Sequence, residues 1–178
     1  MKDFDVWLND LSNKPLPGAV AAAAVTAAMG AALIAKAARI TLQKRQLDSD
    51  ARNVIQTLWN LAENQRSSLV HLAHIDDRAY RAVLDARFSG ASSSAQTQAW
   101  LQATEAPIRL AEECRALLDY SAPLLDTCWP AVCPDPEIGI WFLETGIRAG
   151  LAAAEGNIAY CGDTPEARSL RHRIAALK

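Results

Sequence analysis

Asp76 and Tyr80 lie four residues apart in the stretch His74-Ile75-Asp76-Asp77-Arg78-Ala79-Tyr80. On a helix that spacing puts a carboxylate and a phenol on one face, one turn apart. Such a pair can take up and return a proton, which is what general acid–base chemistry asks of a site. Asp76 could equally cap a helix that begins there, because an Asp side chain accepts from the free N–H groups of a first turn. Asp135, in Asp135-Pro136-Glu137, reads first as a cap, since Asp before Pro with an acid in the first turn is a helix start. Lys36 and Arg39 project three apart on one face, and Lys36 is also placed to snorkel at a helix end. Arg148 follows Glu144 by one turn, the spacing of an ion pair. His71, His74 and Asp77 recur at three-residue steps. That spacing can hold a metal, but no Glu-x-x-His context accompanies it. A solvated helix face is the better reading, and no metal site is expected.

The elements that must position these groups are helices. The chain has 178 residues, enough for one domain spanning 1–178 with its own core. Hydrophobic residues make up 51%, much of it alanine, and aromatics only 6%. Alanine favours helices and disfavours strands, and no alternating β-branched run is present. The expected fold is all-α, a compact multi-helix bundle around a buried Ala/Gly-rich helix. Phe4, Trp7, Leu8 and Leu11 mark a short amphipathic helix ending near Ser12-Asn13. The turn Pro15-Leu16-Pro17-Gly18 then opens the small-residue helix, which runs to about Leu42. Residues 18–35 carry no charge. They approach membrane-spanning length, but Ala and Gly give little insertion drive, so a core helix is expected and no membrane contact.

Asp48 is a plausible cap for a long helix with Val54, Leu58, Leu61, Ala62, Leu69 and Leu72 as its stripe, either continuous or broken near 73–76. Ser89–Ser94 reads as flexible. A helix from about Ala95 to Tyr120 should be kinked or split by Pro107, with a short helix over Ser121–Thr127 after it. Two more helices follow, one from Pro136 to about Tyr160 and a last one after Gly162–Glu166. In the first of these Gly146, Ala149, Gly150, Ala153 and Asn157 share a face, with Ile140, Leu143, Ile147 and Leu151 opposite. That pattern predicts a buried helix, and its small face fits close packing better than a slot for a flat ligand.

A net charge of −2 and a pI near 5.9 give no sign of the basic face that nucleic acid requires, and no nucleic-acid partner is expected. No secretory signal pattern opens the chain. Cys114, Cys128, Cys133 and Cys161 are too scattered for a zinc knuckle and read as free thiols of a reducing cytoplasm.

Four stretches together resemble the cyclodeaminase/cyclohydrolase family, whose members include the C-terminal domain of formiminotransferase-cyclodeaminase and bacterial methenyltetrahydrofolate cyclohydrolases of that fold. Pro15 to Leu33 followed by Ala38-Arg39-Ile40-Thr41 is similar to the family opening P-T-P-G-G-G-S-A-A-A-L-A-G-A-L-G-A-A-L, ending A-R-L-T. Asp76 to Tyr80 resembles D-x-x-A-Y. Ala103-Thr104-Glu105-Ala106-Pro107-Ile108 resembles A-T-E-V-P-L. The region from Asp135 through Arg148 to Asn157 resembles the late S-D, R-G-A and N-V-x-x-N pattern. The order and spacing agree along nearly the whole chain. The departures are local: Ala19, Val20 and Ala21 replace Gly, Gly and Ser, Ala153 replaces the first late Asn, and His74 stands where an acid is common.

The resemblance implies an enzyme acting at the one-carbon bridge of a folate. A cyclohydrolase adds water to the cationic methenyl carbon, and a cyclodeaminase closes a formimino group and expels ammonia. Tetrahydrofolate is then the substrate and no further cofactor is required. Asp76 and Tyr80 become the catalytic candidates. Gly18, Lys36, Arg39, Asp135, Arg148 and Asn157 become candidates for binding, with the cations facing the substrate's glutamate tail. A homodimer is implied too. With no formiminotransferase segment in the chain, the cyclohydrolase is the first expectation. The alternative is a non-catalytic member that binds a pterin-like ligand or a partner protein through the same cleft. The turn at Gly18–Ala21 separates the two: an open cleft lined by Asp76, Tyr80 and Asn157 favours the enzyme, a cleft filled by Val20 and the alanines the other.

Overall fold

The computed structural model describes residues 2–178. Six α-helices follow one another with no strand among the described residues: α1 Lys2–Asn13, α2 Ala19–Lys44, α3 Ser49–Phe88, α4 Ser93–Thr127, α5 Pro134–Ile158 and α6 Pro165–Ala176, with a single 3-10 turn over Pro130–Val132. Short connections make consecutive long helices antiparallel, so α2, α3, α4 and α5 form an up-down bundle. The N-terminal ends of α2 and α4 and the C-terminal ends of α3 and α5 therefore meet at one end.

α2 is the only described helix long and apolar enough to cross a bilayer by length and composition. It lies instead between α3 and α5, with Ala24, Ala27, Ala31, Ile34, Ala37 and Ala38 fully buried. Its small side chains let backbones touch. A methyl group on Gly30 would come within 2.6 Å of the Gly139 carbonyl oxygen, and one on Gly139 within 2.8 Å of the Gly30 oxygen. On α5, Gly146 and Gly150 meet α4 as closely: added methyls would fall 2.7 Å from Cys114 Sγ and 2.5 Å from the Pro107 oxygen. The small face of α5 is thus filled by α4 over most of its length, as close packing requires. The far side of α5 is less buried than its composition predicts, with Trp141 60% exposed.

α3 is a single helix of 40 residues. No Gly or Pro interrupts residues 49–88, so nothing breaks it near 73–76. Asp48 caps it, accepting from the Ala51 N–H at 2.8 Å. α4 runs unbroken through Pro107, where a kink or split was expected, and continues to Thr127 where a separate short helix over Ser121–Thr127 was expected. Proline at 107 has no N–H to give to the carbonyl four residues back, Ala103. The Asn157 amide of α5 donates to that carbonyl instead, at 2.9 Å. α6 is clamped to α4 by Arg173, which bridges Glu105 and Glu112, each at 2.8 Å. α1 forms as its periodicity predicts, but Phe4 and Leu8 stay exposed, so its apolar stripe is not part of the core. The four cysteines are free thiols. Burial pushes those of Cys114 and Cys128 up to about 12, which leaves them protonated and unreactive.

Candidate active site

At the end of the bundle where α2 begins, a cavity of about 260 Å³ is lined by Pro15, Leu16, Gly18, Ala19, Val20, Asp76, Tyr80, Ala153 and Asn157. Each wall has a local cause. The Pro15–Gly18 turn delivers the chain into α2 with Gly18 as its N-cap, in an extended conformation (φ −102°, ψ −172°) that any residue adopts. A methyl on Gly18 would meet nothing within 4 Å. The glycine is therefore open to the cleft and is not demanded by the backbone. Val20 and Ala21 turn inward and are buried, while Ala19 is exposed. Losing two glycines and a serine from the family pattern leaves the cleft open.

Asp76 comes from the interior of α3, twelve residues before its end. It caps nothing, which removes that reading. It is 6% exposed, and burial, reinforced by the neighbouring charge of Asp77, raises its carboxyl from 3.8 to about 7. Asp77 is raised as well, chiefly by burial, with the Gly18 amide, His74 and Arg81 pulling the other way. Tyr80, one turn on, is half-buried and packs its ring edge-on to Trp100, with centroids 6.1 Å apart. Asn157 closes the far side from α5. Its NH₂ group is engaged by the Ala103 carbonyl, so its amide is oriented before any ligand arrives. A carboxyl that titrates near neutrality, walled by apolar groups beside a phenol and an amide, can accept and return a proton at physiological pH.

The other expected site residues lie elsewhere. Lys36 and Arg39 are exposed on α2, with Lys36 roughly 27 Å along the helix from Gly18 at 1.5 Å per residue. Asp135 does not cap α5. That helix starts two residues earlier than expected, at Pro134, whose fixed φ suits a first turn, and its N-cap is Cys133. The Asp135 carboxylate instead pairs with Lys36 Nζ at 2.7 Å, which ties α2 to α5 at the opposite end of the bundle. Arg148 is exposed midway along α5, beside a separate shallow hollow with Arg115 and Glu144. His71 and His74 are exposed on α3, and no cluster of three His, Cys, Asp or Glu side chains is close enough to hold a metal among the described residues.

Sequence reasoning missed the surroundings of Tyr80. A second cavity of about 370 Å³ adjoins the first through that ring and is lined by Tyr80, Val83, Leu84, Arg87, Gln96, Trp100 and Tyr160. Trp100 and Tyr160 stack at 4.5 Å with their planes 19° apart. Tyr160 follows Asn157 by three residues, a usable signal that it shares that side of the chain. Trp100 carried none.

The bundle and the cleft define a class: an all-helical protein built on a buried small-residue helix, with a buried carboxyl of raised proton affinity in a cleft at its head. A family model described as formiminotransferase-cyclodeaminase matches residues 5–176, and the chain belongs to that family. It is 25% identical over 158 residues to a methenyltetrahydrofolate cyclohydrolase from Methylorubrum extorquens, an alignment covering 82% of this chain and 74% of that protein. Its fold matches that of the formiminotetrahydrofolate cyclodeaminase of Thermotoga maritima, with a TM-score of 0.83 at 20% identity, covering 93% of this chain and 82% of that one.

Proposed function

We propose that this protein is a folate one-carbon enzyme, a methenyltetrahydrofolate cyclohydrolase in the first place and a formiminotetrahydrofolate cyclodeaminase in the second. One observation carries the reading: the cleft at Gly18 stays open, and Asp76, titrating near 7, stands in its wall with Tyr80 and Asn157. A buried carboxyl of raised proton affinity in the wall of an open cleft supports the catalytic reading over the binding one. The order of preference rests on the curated relative, which is a cyclohydrolase.

In the cyclohydrolase reaction water adds its oxygen to the cationic bridge carbon and gives one proton to Asp76. The ring C–N bond then breaks. The hydroxyl proton ends on the departing nitrogen as the formyl carbonyl forms, and Asp76 passes its proton to solvent. As a carboxylate, Asp76 also stabilises the cationic carbon by charge. Tyr80 supplies a hydroxyl on the same wall. Asn157, fixed through Ala103, serves to orient the substrate.

A homodimer and a cytoplasmic location complete the proposal. Met29, Ile138 and Trp141, exposed near the Gly30–Gly139 contact, give a self-association surface its apolar content. The test is loss of methenyltetrahydrofolate absorbance. Wild type should hydrolyse it, and Asp76→Asn should be slower by about a hundredfold or more. A wild-type rate equal to buffer, for this substrate and for formimino-tetrahydrofolate, refutes the proposal. Light scattering at micromolar concentration reads the oligomer.

A further inference from the structure

We propose that the aromatic slot of Tyr80, Trp100 and Tyr160, with Arg87 at its outer end, binds the aminobenzoyl-glutamate arm of the substrate, Arg87 receiving the glutamate carboxylates. The inference rests on the folate reading above and names which residues would hold the part of the molecule that does not react. The cleft at Asp76 is about 260 Å³, below the roughly 300–1,000 Å³ of sites for ligands of this size. Space for the remainder must lie beside it, and the slot adjoins it through Tyr80.

The slot has the chemistry of the arm in the right sequence. Asp76, Tyr80, Leu84 and Arg87 recur at spacings of four, four and three along α3, so they form one stripe leading away from the reacting carbon. A flat, electron-rich ring suits this aromatic cluster: Trp100 is stacked on by Tyr160 and edged by Tyr80, and the side of Tyr160 turned away from Trp100 is free for a ligand, the residue being 62% exposed. Arg87 stands about 16 Å along α3 from Asp76. It is exposed and has no ion-pair partner among the described residues. A guanidinium matches carboxylate geometry bidentately. By contrast Lys36, the cation first expected to meet the tail, is bound to Asp135 at the other end of the molecule.

The test compares p-aminobenzoyl-L-glutamate with p-aminobenzoate by calorimetry on wild type, Arg87→Gln, Arg87→Lys and Trp100→Leu. The glutamate conjugate should bind wild type more tightly than p-aminobenzoate. Arg87→Gln should erase that preference, about a tenfold loss, and Arg87→Lys should recover part of it. Trp100→Leu should weaken both ligands alike. Arg87 is exposed, so unchanged thermal unfolding of its variants will show that they are folded. In turnover, Arg87→Gln should raise KM for methenyltetrahydrofolate with little change in kcat, and leave the analogue without glutamate unaffected. Equal binding of both fragments to wild type and Arg87→Gln, or an unchanged KM, overturns the slot while the reaction stands. Arg87-dependent binding in a protein that turns over neither folate supports the slot and overturns the reaction.

Discussion

Replacing Asp76 by Asn should make the protein more stable at high pH while slowing its chemistry about a hundredfold or more. The folded carboxyl titrates at about 7 against an ordinary 3.8, so the native state holds the proton more tightly than the unfolded chain. The stability contributed by the neutral acid is fully present below about pH 4 and is lost as pH rises through about 7. At ~1.4 kcal/mol per unit, the whole shift is worth about 4 kcal/mol. Roughly 3 kcal/mol of it falls between about pH 5 and about pH 8.5. Asn has the same shape and never charges, so the variant escapes this loss, and the titrations of the other carboxylates largely cancel in the difference between the two proteins. Urea unfolding of wild type and Asp76→Asn at those two pH values reads it directly. The advantage of the variant should grow by about 3 kcal/mol from the lower pH to the higher, equivalent to roughly 6–12 °C in melting temperature for a chain of this size. A difference that is constant with pH, or that turns in favour of the wild type at high pH, refutes the claim that Asp76 is held neutral by its surroundings.

If Asp76 acts as the base, wild-type kcat/KM should rise with pH with a midpoint near 7, and this step should vanish in Asp76→Asn. Asn157→Ala should cost about 1–3 kcal/mol by stranding the Ala103 carbonyl. That cost should shrink in a Pro107→Ala background, where a backbone N–H can return to the same carbonyl, and a double-mutant cycle without coupling would reject the link. Gly139→Ala should destabilise by about 2 kcal/mol or more, because its methyl would fall 2.8 Å from the Gly30 carbonyl oxygen and 2.9 Å from the buried Ile34 side chain. Gly18→Ala should leave the unfolding midpoint nearly unchanged and raise KM, since Gly18 lines the cleft and its methyl would meet no atom within 4 Å.

The helices were legible because alanine content and apolar stripes act locally. The caps Asp48, Ser92 and Thr164 each accept from the third residue on. What the sequence concealed was tertiary. The continuity of α4 through Pro107 depends on a donor from α5, 50 residues later in the chain. Asp135 looked like a cap because its neighbours are prolines, and only the antiparallel packing of α2 and α5 presents it to Lys36. The meeting of Gly18, Asp76, Tyr80 and Asn157 was anticipated through the family resemblance, since no local pattern relates residues on three helices. The stacking of Trp100 on Tyr160 had no such guide.

Two kinds of glycine lie in the helices and at the head of α2, apart from Gly90 and Gly162 whose positive φ requires glycine, and the difference bears on how the protein can change. Gly30, Gly139, Gly146 and Gly150 sit where backbones touch, and an added methyl meets an atom within 3 Å. Gly18 and Gly156, near the cleft end, face open space. Variation is thus blocked along the shaft of the bundle and admitted at Gly18 and Gly156. A lineage built this way can alter what it accepts, exchanging Gly, Gly and Ser for Ala, Val and Ala beside the reacting group, without renegotiating the fold that holds it.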